Sequence, residues 1–395
     1  MSNKVSIAEL SPVMETYTRF PITLVKGKGS YVWDNKGNQF LDFTSGIATC
    51  NLGHVPEPVT EKLEEQIQSL WHCSNLYHIP SQQKLASIIV ENSCGDQVFF
   101  CNSGAEANEA AIKLARRYAQ KIKGSDAFEV VTFQQSFHGR TLATLSATGQ
   151  EKIQHGFLPL MPGFRYLPYN DLEALKDIPS PTTCAVLLEL VQGEGGVVPA
   201  NDGWVQQLAK ICNEHDILLM IDEIQTGIGR TGTLFAYEQY GIEPDVISLA
   251  KGLGSGFPIG AIISKGEVAK AFDPGSHGST FGGNPLATTA GLATVDHILS
   301  SNLLKQVNER SVFFEEQLQL LKEKFPIITA IRGKGLLMGM VVEGRALEIV
   351  KKAIDHQVLI LTAGPDVVRI LPPLTTSPEE ILELMAVLEE VLQGI

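Results

Sequence analysis

Short apolar runs alternate with helical patterns from about residue 97 to residue 300, and this alternation restricts the chain to a small set of folds. The candidate strands are 97–101, 129–133, 185–190, 218–222, 246–250 and 261–264, and the candidate helices are 105–122, 205–215 and 283–300. This order is typical of a mostly parallel sheet that helices cover on both faces. We therefore expect an α/β protein with a doubly wound sheet.

The pattern changes near residue 300. Polar residues at 300–302 lead into a long amphipathic segment at 303–325, and strands and helices then return up to a predicted helix at 378–392. We therefore predict a large domain over residues 56–300 and a smaller α/β domain over residues 301–395. Residues 1–55 contain a predicted hairpin, 29–33 and 39–43, and we expect this segment to pack with the small domain.

Composition excludes several classes of protein. The 395 residues are 44% hydrophobic and 19% charged, as in soluble globular proteins, and the formal net charge of -13 argues against a nucleic-acid-binding surface. No apolar stretch approaches the roughly 20 residues that cross a bilayer, and residues 1–10 lack a signal-peptide core. Six scattered cysteines without a Cys-x-x-Cys pair indicate reduced thiols, so we expect a cytoplasmic protein without a metal site.

Two charged side chains end predicted buried strands. Lys251 ends the apolar run 245–251 and opens a glycine-rich turn, and Asp222 ends the run 217–222. Burial lowers the pKa of an amine, and a neutral amine is a nucleophile toward aldehydes. Open α/β sheets build their sites at the carboxyl ends of strands, so we expect both side chains in one site. The alternative for Lys251 alone is a strand-end ammonium that reaches solvent.

The run Asn-Ser-Gly-Ala-Glu-Ala at 102–107 joins a predicted strand to a predicted helix. Gly104 and Ala105 leave the backbone N–H groups accessible, and a helix N-terminus carries about half a positive charge, which together favour phosphate binding. The same residues fit a capping box, with Ser103 as N-cap and Glu106 three residues later. Both interpretations can hold together.

Two further runs carry side chains that suit a planar, charged ligand. In the run 136–141, Phe137 could lie against a flat ring and Arg140 could bind a carboxylate, although a core phenylalanine and a satisfied loop histidine are the alternative. The run 188–196 places two glutamates, Glu189 and Glu194, after another strand, where solvated loop acids are the usual case. The hydroxyls of 275–285 and the arginine at 369 could likewise belong to surface turns.

The run Gly-Ile-Gly-Arg-Thr-Gly at 227–232 matches the dinucleotide-binding fingerprint literally. A pyrophosphate there would follow Asp222 and Glu223, which would repel it. The next predicted strand ends at Lys251, where that fingerprint requires a ribose-binding carboxylate. We therefore predict that the match does not mark a dinucleotide site.

Taken together, these segments resemble the class III aminotransferases, which are pyridoxal-phosphate (PLP) enzymes of fold type I, and within that class the acetylornithine aminotransferases. The resemblance runs from about Tyr17 to Pro373. It is carried by the runs 42–48 and 70–76, Asn-Ser-Gly-Ala-Glu-Ala-Asn-Glu-Ala at 102–110, Phe-His-Gly-Arg-Thr at 137–141, Asp-Glu-Ile-Gln-Thr-Gly-Ile-Gly-Arg-Thr-Gly at 222–232, and Lys-Gly at 251–252. It implies a large domain with a mostly parallel doubly wound sheet and a smaller α/β domain.

The resemblance implies a role for each cofactor residue. Lys251 would bind PLP through its amine and later move a proton between substrate and cofactor, and Asp222 would keep the pyridine nitrogen protonated. The other implied contacts are Ser103, Gly104 and Ala105 at the phosphate, Phe137 on the ring, Gln225 near the ring hydroxyl, and Thr280 at the phosphate of a second subunit. The contact by Thr280 implies an obligate homodimer with two shared sites.

The resemblance also implies how substrates bind. Arg369 would bind the α-carboxylate of glutamate or 2-oxoglutarate, and Arg140 would bind the distal carboxylate. Glu194 would pair with Arg369 when the donor reacts through a terminal amine, and Tyr17 would line the donor site.

The expected donor is N2-acetylornithine, which would give N-acetylglutamate 5-semialdehyde in arginine biosynthesis. Ornithine aminotransferases carry a tyrosine at the position of Ile47, where it meets a free α-amino group, and isoleucine tolerates an acylated one. The alternatives are donors such as succinylornithine, ornithine, succinyldiaminopimelate or 4-aminobutyrate, an aminomutase of the glutamate-1-semialdehyde type, and a cofactor-binding regulator without turnover. In one departure from the family, the run Gly-His-Val-Pro-Glu at 53–57 has Pro56 where the family commonly has a second histidine.

Overall fold

The computed structural model describes residues 12–395, in which strands and helices alternate. The strands are β1 (Leu24–Lys28), β2 (Tyr31–Asp34), β3 (Gln39–Asp42), β4 (Gln97–Cys101), β5 (Glu129–Phe133), β6 (Phe164–Leu167), β7 (Thr183–Glu189), β8 (Val191–Gln192), β9 (Val198–Pro199), β10 (Leu218–Asp222), β11 (Val246–Leu249), β12 (Gly260–Ser264), β13 (Ala330–Lys334), β14 (Leu337–Val341), β15 (Val358–Leu359), β16 (Leu361–Thr362) and β17 (Val367–Ile370). The helices are α1 (Ser45–Ala48), α2 (Glu57–Ile67), α3 (Pro80–Glu91), α4 (Gly104–Arg117), α5 (Leu142–Ala147), α6 (Glu151–Gln154), α7 (Asp202–Glu214), α8 (Gly266–Ala269), α9 (Pro285–Ser300), α10 (Leu303–Lys324), α11 (Ala346–Asp355) and α12 (Pro378–Gln393).

The central sheet has seven strands in the order β4-β12-β11-β10-β7-β5-β6. Six strands run parallel, and β12 runs antiparallel to both of its neighbours. Alternate residues of one strand face opposite sides: Leu218 and Met220 pack in the core that contains α4, while Leu219 and Ile221 pack in the core that contains α7 and α9. Both faces are therefore covered, which confirms the predicted doubly wound α/β architecture.

Two smaller sheets flank this centre. In one of them, β1, β2 and β3 form an antiparallel meander, and β3 pairs in parallel with β15 of the C-terminal part. The other contains β13, β14, β17 and β16, all antiparallel. The hairpin of β2 and β3 confirms the predicted hairpin, and its partner β15 lies in the C-terminal part. The division of the chain at residues 55 and 300 stays a proposal.

The predicted elements form with small shifts at their ends. The largest difference is at 105–122, where the α-helix ends at Arg117 and one π-helical turn, Tyr118–Ile122, follows. A turn with i to i+5 bonds keeps the apolar pattern near helical spacing, so the sequence does not show where the α-helix ends. The short strands β1, β6, β8 and β9 were not predicted, since their runs are short or mixed in polarity. In the described residues, no helix is long and apolar enough to span a bilayer.

Candidate active site

A cavity of about 390 Å³ opens at the carboxyl ends of the parallel strands. Parallel strands direct these ends to one edge of a sheet, so residues that follow different strands meet there. Nine of the predicted site residues line the cavity: Ser103, Gly104, Ala105, Phe137, Arg140, Glu194, Asp222, Gln225 and Lys251.

Asp222 is the last residue of β10, and its carboxylate is buried and well supplied with donors. Its Oδ2 accepts a hydrogen bond from Nδ2 of Asn108 at 2.7 Å and lies 2.8 Å from Nδ1 of His138. Its Oδ1 accepts from the backbone N–H of Ile224 at 3.1 Å. These contacts hold the carboxylate of Asp222 in one orientation at the end of β10.

Lys251 follows β11, with a backbone φ of 43°, in the left-handed region. Its ammonium makes no hydrogen bond or ion pair within residues 12–395. Burial lowers its pKa, and the positive charge of Arg369 acts in the same direction, while the carboxylates of Glu194, Asp222 and Glu189 act against them. A partly desolvated amine with no partner is available as a nucleophile.

The N-terminus of α4 forms one wall of the cavity. Ser103 is the N-cap residue, and its hydroxyl accepts a hydrogen bond from the N–H of Glu106 at 3.2 Å. The carboxylate of Glu106 accepts from the N–H of Asn102 at 2.6 Å, one residue before the N-cap. Capping is thus confirmed, in a variant of the predicted box. The N–H groups of Gly104 and Ala105 are first-turn donors without helical partners, which suits a phosphate.

Arg369 approaches the cavity from the C-terminal part, on β17, and is 2% exposed. Its Nη1 donates to Oε1 of Glu194 at 2.6 Å, to the carbonyl of Gly193 at 3.1 Å and to Oε1 of Gln225 at 3.3 Å. Burial would raise the pKa of the Glu194 carboxyl, but the charge and hydrogen bonds of Arg369 hold it below its ordinary value. The carboxyl group of Glu194 is therefore ionised at neutral pH.

Phe137 and Arg140 follow β5, and the guanidinium of Arg140 lies over the Phe137 ring at 5.6 Å from its centroid. The N–H of Phe137 donates to Oε2 of Glu189 at 2.9 Å. Glu189 is buried at the end of β7, opposite Asp222 in the strand register. Burial and the charge of Asp222 raise the pKa of Glu189 well above its ordinary value.

Like Arg369, three further residues to which the sequence gave a role in substrate binding or at a second subunit do not line the cavity. The side chain of Tyr17 is 76% exposed and does not line the cavity. Thr280 lines a neighbouring cavity of about 430 Å³, together with Glu106 and His277. Ile47 is 42% exposed, and Thr49 is the cavity residue nearest to it in sequence. Their predicted roles stay predictions.

Sequence reasoning missed two supports of Asp222. Asn108 lies on α4, 114 positions before Asp222, and His138 was interpreted only as a possible loop histidine. The signal for Asn108 was a polar residue on the apolar face of a predicted helix. Glu189, noted only as a loop acid, is instead a buried residue of the cavity wall.

The arrangement suits PLP. A buried carboxyl group for the ring nitrogen, an amine for the aldehyde and a helix N-terminus for the phosphate line one cavity. Two buried atoms of residues that contact Asp222, Oδ1 of Asn108 and Nε2 of His138, have no hydrogen-bond partner among residues 12–395. The residues present therefore match the three polar groups of the cofactor.

Residues 13–392 match the profile of the aminotransferase class-III family. The chain belongs to the class III aminotransferases. It is a transaminase of fold type I, and its cofactor is PLP, as the resemblance predicted.

Named relatives agree with this placement. The acetylornithine aminotransferase of Oceanobacillus iheyensis is 60% identical over 381 residues, which are 96% of each chain. The N-acetylornithine aminotransferase structure from Stenotrophomonas maltophilia has a TM-score of 0.84 and 37% identity, covering 96% of this chain and 97% of that one. An ornithine aminotransferase structure from Toxoplasma gondii, with partial occupancy of PLP at its active site, has a TM-score of 0.93 and 31% identity, covering 97% and 92%.

Proposed function

We propose that this aminotransferase moves the terminal amino group of N2-acetylornithine to 2-oxoglutarate, which yields N-acetylglutamate 5-semialdehyde and glutamate. The observation that carries the proposal is the ion pair at 2.6 Å between Arg369 and Glu194, the latter a residue that lines the Lys251 cavity. A donor that reacts through a terminal amine brings no carboxylate next to the reacting carbon. The acceptor does bring one. The guanidinium of Arg369 must therefore be paired with Glu194 in the half-reaction of the donor and free in the half-reaction of the acceptor.

Lys251 supplies the reactive amine in this scheme. When bound, PLP supplies an electron sink that makes a proton on the amine-bearing carbon labile. Lys251 would anchor the cofactor through Nζ and then carry the proton between the substrate carbon and the cofactor carbon. The lowered pKa of its ammonium keeps more of the amine in the basic form.

Other residues would orient the cofactor. Asp222, fixed by Asn108 and His138, would hold a proton on the ring nitrogen. Phe137 would cover one ring face, and Gln225 would lie near the ring hydroxyl. The backbone N–H groups of the helix start at 103–105 would bind the phosphate.

Substrate carboxylates would meet the two arginines. Glu194 would release Arg369 to the α-carboxylate of glutamate or 2-oxoglutarate and cover it again for the acetylated donor. Arg140, which is exposed at the cavity mouth, would bind the distal carboxylate, and Tyr17 would complete the donor side. The acyl preference draws support from the 60% identical relative, which carries the name acetylornithine aminotransferase, and from isoleucine at position 47.

Kinetic competition tests the substrate assignment. Specificity constants are measured for acetylornithine, succinylornithine, ornithine and 4-aminobutyrate with 2-oxoglutarate as acceptor. We expect acetylornithine to have the highest value, and a higher value for 4-aminobutyrate or free ornithine would contradict the assignment. Turnover without an external keto acid would indicate an aminomutase.

Free ornithine is the second candidate donor, because the Toxoplasma gondii ornithine aminotransferase superimposes with the higher TM-score of 0.93. Ile47 separates the two candidates. If ornithine were the donor, replacing Ile47 with tyrosine should improve its specificity constant little. If acetylornithine is the donor, the same change should lower its constant and raise that of ornithine.

A homodimer with shared sites is part of the same proposal. Thr280 is exposed and lies outside its own chain's Lys251 cavity, which is consistent with a contact to a second subunit. Exposed apolar side chains accompany it, including Leu70, Trp71 and Phe281. A cytoplasmic location is proposed as well, and the six cysteines, all free, support a reducing compartment.

Mixing variants tests the shared site. A Lys251→Ala chain has no reactive amine, and a Thr280→Ala chain is expected to bind cofactor phosphate weakly. Mixed dimers contain one site with both wild-type residues, so refolding the two variants together should restore activity above that of either alone. Activity equal to the average of the separate variants would exclude a shared site.

A further inference from the structure

The run 227–232, which matches the dinucleotide fingerprint, has no place in the scheme above. It forms consecutive turns after Asp222 rather than the start of a helix. Its arginine, Arg230, is completely buried, and no carboxylate within residues 12–395 forms an ion pair with it. A buried cation without a counter-ion is costly, and this cost indicates that Arg230 has a specific geometric role.

Arg230 hydrogen-bonds to three segments of the chain that are distant from it in sequence. Its Nη1 donates to the carbonyl of Leu336 at 3.0 Å and to the carbonyl of Pro372, and its Nη2 donates to Oδ1 of Asn51 at 2.9 Å. The carbonyl of Arg230 in turn accepts from the N–H of Leu336 at 3.0 Å. One guanidinium thus joins the turn after β10 to the β13–β14 turn, to the segment after β17 and to the N-terminal segment.

Asn51 extends this network to the turn that carries Lys251. Its Nδ2 donates to the backbone carbonyl of Ile228 at 2.8 Å, and the backbone carbonyl of Asn51 accepts from the N–H of Leu374 at 2.7 Å. Its side chain packs directly on Gly252, where an added Cβ would lie 2.1 Å from Nδ2. The residue next to Lys251 is therefore a glycine because the Asn51 amide occupies the space of a side chain.

The network reaches the substrate-binding arginine through a short piece of chain. Pro372 is three residues after Arg369, so the hydrogen bond from Arg230 fixes the end of the strand that carries Arg369. The turn that holds Arg230 also carries Gln225, which accepts a hydrogen bond from Arg369. A shift of the C-terminal part would therefore move Arg369 relative to both Lys251 and Glu194.

We propose that Arg230 and Asn51 are positioning residues that hold Arg369, on the C-terminal part, at the distance from the Lys251 turn that the α-carboxylate of the acceptor requires. The inference rests on the proposed function, because Arg369 is taken to bind 2-oxoglutarate and glutamate. An interaction needed only for folding would stabilise the protein without favouring one substrate over the other. Loss of a residue that positions Arg369 would instead affect the half-reaction with 2-oxoglutarate more than the half-reaction with acetylornithine.

The test compares Arg230→Lys with Arg116→Lys. Arg116 also donates to two backbone carbonyls, those of Phe128 and Pro162, but it lies 12 residues along α4 from Gly104, about 18 Å from the cavity end of that helix. Lysine keeps the charge and loses the fork that reaches three acceptors. We expect Arg230→Lys to raise the KM for 2-oxoglutarate about tenfold or more and the KM for acetylornithine less than about threefold. Arg116→Lys should change neither.

Asn51→Ala provides a second variant in case Arg230→Lys does not fold. It removes one acceptor of Arg230 and leaves the other two, and we expect the same selective rise in the KM for 2-oxoglutarate. Thermal unfolding is followed for every variant. A folded variant whose two KM values stay at wild-type level, or rise equally, would overturn the proposal. The wild-type protein in the same assay tests the proposed function separately, since its failure to use acetylornithine would appear before any variant is compared.

Discussion

Oε1 of Glu194 lies 2.6 Å from Nη1 of Arg369, so the cation that would bind an acceptor carboxylate is covered by a carboxylate of its own chain. Replacing Glu194 with glutamine keeps the shape and removes the charge. We expect Glu194→Gln to raise the specificity constant for glutamate relative to that for acetylornithine about tenfold, because Arg369 is then free in both half-reactions. Glu214→Gln, an exposed change on α7, is the control. An unchanged ratio would show that the pair does not select the substrate.

Lys251 makes no hydrogen bond or ion pair in the described part of the chain, so its replacement leaves no partner unsatisfied. We expect Lys251→Ala to fold with nearly wild-type stability and to lose at least about 10³-fold in turnover, the scale of general acid-base catalysis. Peptide mapping after borohydride reduction should find the cofactor on residue 251 in the wild type only. Label on another lysine of the wild type would contradict the assignment.

Asn108 and His138 both contact Oδ2 of Asp222. Variants of Asn108 measure how much these contacts contribute to PLP binding. Asn108→Ala removes one hydrogen-bond donor to Asp222. We expect this change to weaken PLP binding by about 1–3 kcal/mol. Asn108→Asp places a second carboxylate against the first, and like charges disfavour ionisation of both.

The Asn108→Asp variant should therefore retain PLP less well than Asn108→Ala, although aspartate is the closer match in size. Equilibrium dialysis of the cofactor measures this order at several pH values. The reverse order would mean that Asp222 does not act as an anion.

Nε2 of His54 lies 2.7 Å from Oδ2 of Asp42, and this contact predicts a pH dependence of stability. The hydrogen bond to Asp42, with a further contribution from Cys50, raises the pKa of His54 to about 10. A raised histidine pKa contributes stability that is fully present below the unfolded value of about 6.5 and is lost as pH rises through about 10.

We therefore expect the free energy of unfolding to fall between pH 7 and pH 10 by a few kcal/mol more in the wild type than in His54→Gln, on the order of the linkage for such a shift. Chemical denaturation at several pH values gives both slopes. Parallel slopes would show that His54 is not charged in the folded protein. The other groups that titrate in this range are common to both proteins, so the difference isolates His54.

Local sequence signals identified the residues that follow strands. Asp222 and Lys251 each end a continuous apolar run, and the α4 residues come at a strand-to-helix junction, so their shared location follows from the geometry of a parallel sheet. The contacts that cross the chain could not be derived in the same way. Arg369 meets Glu194 over 175 positions, and Asn108 meets Asp222 over 114.

The strand order shows why contacts between distant residues were harder to predict than the residues that follow strands. The sequence indicates that six central strands exist, but the register that brings β12 between β4 and β11 depends on packing of the complete chain. Arg230 was not singled out, for a related reason. Its run was interpreted only as a match that does not mark a dinucleotide site, and no local pattern indicates that a buried arginine would take its acceptors from residues 51, 336 and 372.

The reversed direction of β12 has a consequence for how the enzyme can evolve. Residues 250–259 leave the sheet at the end of β11 and re-enter it at Gly260, opposite Cys101 at the end of β4. Lys251 thus lies on a return loop that is held by the sheet at both ends, while other neighbouring strands are joined by longer crossovers that can shorten or grow. Insertions and deletions should accumulate in those crossovers and be absent from this loop, whose length is fixed by the two strands it joins.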